Sequence, residues 1–166
     1  MKKFSAKTVT VYGLLTATAM LFGYVEMLLP MDFIAPGIKV GVANTVCLFL
    51  VLKGKRLGAF LVNCVRIILT ALLFGSALSL IFSFTAGIIS LLVICLGEKV
   101  KGLGIAGISV LGSTAHNITQ LAVATVTVGG GVWYYAPILV IAGVIAGLLT
   151  GALTGLILKH TQKIIF

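Results

Sequence analysis

Arg66 is the residue whose placement most demands an explanation. It lies near the middle of an apolar run, where an arginine costs roughly 2.5–3.5 kcal/mol to insert. Such a side chain must face a bundle interior or water, and its guanidinium suits a polar or anionic head group. Asn63, Arg66 and Thr70 are spaced three and four apart and share one helix face. A second constellation is the segment STAHNITQLA, residues 113–122, where Ser113, His116, Asn117 and Gln120 form one polar stripe on an apolar helix. Asn44 falls near the middle of a third run. Three helices thus deliver polar groups to a similar depth. They form either a site for a polar head group, with amides and imidazole supplying directional bonds, or a hydrogen-bond network that fixes helix packing.

The elements that must position these residues are membrane helices. Of 166 residues, 60% are hydrophobic and 9% are charged. A soluble domain carries roughly 25% charged residues, so this chain cannot cover a water-facing surface. Six spans are expected, at about 8–29, 38–52, 57–75, 77–97, 103–128 and 138–158, forming one all-α integral membrane domain over 1–166. The first run is longer than a signal-peptide core and reads as a retained helix. The second is short and needs tilt or shielding by neighbours. Residues 57–97 would extend roughly 60 Å as one helix, twice a hydrocarbon core, so they fold back, with FGSALS near Gly75 as the turn. GGGVWYYAP is a second turn, with interfacial aromatics.

Twelve basic residues face three acids, a net charge of +9. The basic residues lie between apolar runs, which points to membrane topology and away from nucleic acid. Lys2, Lys3, Lys7, Lys53, Lys55, Arg56, Lys99, Lys101, Lys159 and Lys163 fall on one side of the six-span arrangement, and only Lys39 on the other. Both termini are therefore expected on the cytoplasmic face of the cell membrane.

Several chemistries lack their residues. There is one aspartate, Asp32, against the aspartate-rich motifs a usual prenyl synthase needs to hold magnesium and diphosphate. Walker lysine, G-x-S-x-G and zinc-ligand patterns are missing, so the chain is not expected to be an enzyme, to bind a metal or cofactor, or to hydrolyse ATP alone. Cys47, Cys64 and Cys95 sit singly in apolar runs and read as small core residues. Glu26, near the outer end of helix one, is the one acid placed to join a membrane site, with Lys39 or Arg66 as a partner.

Small residues are abundant, with 20 glycines. Gly13, Ala17, Ala19 and Gly23 form small-x-x-x-small pairs on helix one, and Gly143, Gly147, Gly151 and Gly155 a ridge on helix six. Either set serves internal packing or docking of another membrane protein.

PGIKVGVANTV (36–46), RIILTALLFGSALSLIFSFTAGIISLLVI (66–94) and GISVLGSTAHNITQLAVA (107–124) resemble the Gx transporter family, often labelled heptaprenyl diphosphate synthase component I. That family is similar to the substrate-binding S components of energy-coupling factor (ECF) transporters. The resemblance implies a six-helix bundle with cytoplasmic termini that docks on a scaffold membrane protein with two ATPases. It implies that Gly13, Ala17, Ala19 and Gly23 contact the scaffold. The ligand would then be a small lipophilic or anionic precursor, isoprenoid- or quinone-related by family association. It would enter beneath the 30–37 and 129–137 loops, with Lys39 attracting it and Asn44, Arg66, His116, Asn117 and Gln120 holding its polar end. The rivals are a non-transporting membrane subunit that anchors a prenyl synthase or a flavoprotein, and a true isoprenoid enzyme.

Overall fold

The computed structural model describes residues 6–28 and 41–161, and every regular element in them is helical. In chain order they are α1 (Ala6–Leu28), α2 (Asn44–Leu52), α3 (Arg56–Phe74), α4 (Ala77–Gly97), α5 (Ile105–Val128) and α6 (Ala136–His160), with a 3₁₀ helix over Gly130–Tyr135 leading into α6.

α1, α3, α4 and the unit of 3₁₀ helix plus α6 are each long and apolar enough to cross a membrane. At 24 residues α5 has the length as well. It is not one of the four, because its polar stripe lowers its hydropathy. α2 is the exception in length. A helix was expected over 38–52, yet Gly41–Ala43 are non-helical and α2 begins only at Asn44. Residues 38–40 lie outside the described segments. Gly41 takes φ +76°, a conformation open to glycine, and the turn closes through Asn44 N–H to the Gly41 carbonyl (2.8 Å). Nine residues rise about 14 Å, less than half a hydrocarbon core.

The shortness of α2 is matched by its burial. Every residue from Thr45 to Val51 is buried. α2 packs against α1, α3, α4 and α6, so no face of it is left for lipid. A helix that is apolar all round belongs in an interior, and VCLFLV is such a run. Around it the remaining helices pack in sequence, α1 on α3, α3 on α4, α4 on α5 and α5 on α6. Their outer faces carry exposed Leu, Ile, Val and Phe.

The α5–α6 seam is the closest contact. A Cβ on Gly143 would sit 2.9 Å from the Thr114 Cα, on Gly147 2.4 Å from the Val110 Cα, and on Gly151 3.0 Å from the Ala106 Cα. The glycine ridge of helix six is thus an internal packing surface over three of its four positions. Gly155 has open space and plays no part in it. Hydroxyls complete the seam: Ser109 and Thr150 share a 2.7 Å hydrogen bond, and Thr150 also donates to the Ala146 carbonyl at 2.9 Å.

One end of the bundle gathers the basic residues. Arg56, opening α3, binds Glu98 at the end of α4 through Nε (3.0 Å) and Nη2 (2.6 Å). Lys53, just after α2, donates to the Thr161 carbonyl after α6 (3.3 Å). At the other turn, Ser76 caps α4 by accepting from the Ser79 N–H (3.2 Å).

Candidate functional site

The polar groups of five helices converge where α2 begins. Arg66 is the eleventh residue of α3, about 15 Å from its basic end. α2 starts about 14 Å from that end, which places Asn44 at the same depth. Arg66 Nη2 donates to two amide oxygens, Asn44 Oδ1 (2.8 Å) and Asn63 Oδ1 (2.9 Å). Asn44 was expected at a helix middle; it is instead the first residue of α2, and its depth follows from the shortness of that helix.

Asn63 lies one turn before Arg66 and is buried. Cys47 Sγ lies 3.7 Å from its oxygen. Gly87 of α4 makes room for it, since a Cβ there would stand 3.1 Å from Asn63 Nδ2. Asn63 Nδ2 and Arg66 Nε are both buried with no hydrogen-bond partner among the described residues. Both bonds that Arg66 donates therefore end on neutral oxygens, and part of its donor capacity is unused.

Glu26, two residues from the end of α1, reaches the same place. Its carboxylate accepts the Val42 N–H in the turn before α2. That N–H lies ahead of the first turn of the helix, where donors lack intrahelical partners and negative charge is favoured.

A small cavity of about 40 Å³ opens among these groups and is partly open to the outside. Its wall is formed by Glu26, Gly41, Ala43, Asn44, Arg66, Ile67, Ser83 and His116. Small-molecule sites run from roughly 300 to 1,000 Å³, so this space holds a few atoms of a polar head group and not a whole ligand. Three of the expected residues, Asn44, Arg66 and His116, share this wall.

The others separate. Asn117 turns to the seam, where its Nδ2 donates to the Leu139 carbonyl of α6 (3.0 Å). Gln120 is buried, does not line the cavity, and its Oε1 has no hydrogen-bond partner among the described residues. Lys39 lies outside the described residues. The stripe of α5 is thus split: Ser113, close to Gly41, and His116 face the cavity side, and Asn117 faces α6. On α1, Gly13 and Ala17 are exposed and Gly23 half-buried, with open space at both glycines. Ala19 is fully buried in the core, so it cannot lie on an outer docking face with them.

Asn63, Ser83 and Glu26 belong to the site or its support but were not among the expected ligand residues. Asn63 carried a signal in its spacing from Arg66. Ser83 is one of four hydroxyl residues in α4, with Ser79, Thr85 and Ser90, and nothing in its spacing set it apart. Among the described residues no three His, Cys, Asp or Glu side chains cluster.

Long apolar helices around a partly open polar cavity define a membrane protein. Residues 15–157 match the heptaprenyl diphosphate synthase component I family, and the chain belongs to it. No curated protein and no solved structure gave a significant match.

Proposed function

We propose that this chain is the non-catalytic, substrate-binding membrane subunit of an uptake system of the energy-coupling factor kind. It sits in the cell membrane as one domain, with six helical segments and both termini in the cytoplasm. Its ligand is a small lipophilic or anionic precursor whose polar end lies against Arg66. The observation that carries this reading is the half-buried guanidinium. It lines an open cavity at mid-depth while donating to neutral amide oxygens. A charge that only glued helices together would be expected in a closed, fully bonded network. Asn44 and His116 add directional groups to the same wall. The gathering of Lys53, Lys55, Arg56, Lys99, Lys101 and Lys159 at the opposite end of α3 supports the orientation. A scaffold protein with ATPases would supply the energy, and the exposed small residues Gly13 and Ala17 suit close helix docking.

Two experiments test this. Arg66→Ala should express and fold, yet lose ligand binding by roughly 10- to 100-fold, the worth of a charged hydrogen bond. Unchanged affinity in the purified variant would remove Arg66 from the site. Affinity purification in mild detergent from the native host, followed by mass spectrometry, should recover a scaffold membrane protein and two ATPases.

One observation favours a second reading. The family's description as a component of a synthase implies a partner protein. On that reading the chain anchors a prenyl synthase or a flavoprotein, and the cavity presents a lipophilic substrate to it. Recovery of such a partner without ATPases would select it.

A further inference from the structure

The cavity that holds Arg66 also holds a carboxylate, and this limits what it can accept. α1 contributes Glu26, α3 Arg66 and α5 His116; α2 contributes the amide of Asn44 and α4 the hydroxyl of Ser83. Among the described residues of the wall there is thus one fixed cation, one carboxylate and one imidazole. Glu26 holds the Val42 N–H, the backbone donor that an incoming anion would otherwise use together with Arg66. An anion entering beside an ionised Glu26 would meet a like charge in a poorly solvated space, and its attraction to Arg66 would be largely offset. A proton on Glu26 removes that opposition and weakens the carboxyl's hold on the Val42 N–H, which a ligand oxygen can then share.

We propose that Glu26 sets the charge rule of this site: an anionic head group is taken up together with one proton, which resides on Glu26. This rests on the reading of the Arg66 cavity as a ligand site. No bond is made or broken beyond the proton transfer from solvent to the carboxylate. The sign follows from linkage. Binding that requires proton uptake tightens as pH falls, by about tenfold per pH unit while the free protein keeps Glu26 ionised. A neutral polar head group would show no such slope.

The test uses the full chain in lipid nanodiscs and two anions that stay ionised at all relevant pH values. Hexanesulfonate represents an anionic head on an apolar chain, and inorganic sulfate represents a free anion. Calorimetric titrations run from pH 5 to pH 8, in buffers of different ionisation enthalpy, count the protons taken up per ligand. The expected result is one proton per bound anion and the tenfold slope. Glu26→Gln is expected to bind at pH 7.5 as tightly as the parent at the acid end, with the slope abolished, while His116→Asn keeps it. If only hexanesulfonate behaves this way the ligand is amphiphilic; if sulfate does too, the head alone suffices. Binding that depends on Arg66 but not on pH overturns the role of Glu26 and leaves the site intact. A slope that survives Glu26→Gln and vanishes in His116→Asn moves the proton to the imidazole and also overturns it. Binding of neither anion at any pH, or equal binding by Arg66→Ala, removes the site itself. The proton count on the unmodified chain keeps the test decisive should a variant fold poorly.

Discussion

The α5–α6 seam and the cavity at the head of α2 are built from the same residue types and do opposite things with them. At the seam, glycines bring backbone onto backbone, and Ser109, Asn117 and Thr150 each find a partner across it. At the cavity, Gly41 makes a turn that stops a helix short, and Asn44, Asn63 and Arg66 form a cluster with buried donors left over. The seam pairs Ser109, Asn117 and Thr150 and leaves only the Thr114 hydroxyl buried without a partner among the described residues, so close packing dominates there. A wall with surplus donors is held open at a cost, because an unmet buried donor loses roughly 1–3 kcal/mol of solvation. On the proposed function, that contrast separates the part of the molecule shaped for a ligand from the part shaped for packing.

The sharpest way to break that contrast is to fill the seam. Gly147→Leu should be the most damaging change, since even its Cβ overlaps the Val110 backbone. A loss of about 3 kcal/mol or more is expected, seen as a large fall in detergent melting temperature and in yield. Gly155→Leu, about two turns further along the same ridge but with open space, should leave both almost unchanged.

Asn117→Ala gives a smaller effect and a cleaner separation. It removes the bond to the Leu139 carbonyl and should cost about 0.6–2 kcal/mol of stability. Ligand affinity should stay within about twofold, whereas Arg66→Ala shows the reverse pattern of large affinity loss and small stability loss. Equal affinity losses in the two variants would mean that the α5 stripe acts as one surface after all. The smallest stability effect is expected for Ala17→Leu, which alters only the exposed face of α1. Its melting temperature should match the parent, and its readout is whether the scaffold protein still co-purifies.

Much of this was legible in residue order because the membrane enforces it. Runs of apolar residues too long for a soluble helix must span or be shielded, and polar residues within them must face inward. The helix over 77–97, the reversal at Gly75–Ser76 and the stripe from Ser113 to Gln120 follow from that rule alone. Arg66 stood out by its cost. The spacing of Gly143, Gly147 and Gly151 showed a close contact but not its partner.

Which groups meet was decided only by tertiary structure. PGIKVGVANTV carries no periodicity break to show that the helix begins at Asn44, because buried and lipid-facing helices are equally apolar. The turn at Gly41 depends on what surrounds it. Nor does a stripe of i, i+3 and i+4 positions say which of its members turn to which neighbour. A helix face spans about a third of the circumference, so His116 and Asn117, one residue apart, sit 100° apart around the axis and meet different helices. Composition and period alone determined that this is a bundle of membrane helices with a polar interior layer. Packing alone determined that Glu26, Asn44, Arg66 and His116 close around one cavity, because the short α2 ends at their depth and leaves the space above it to them.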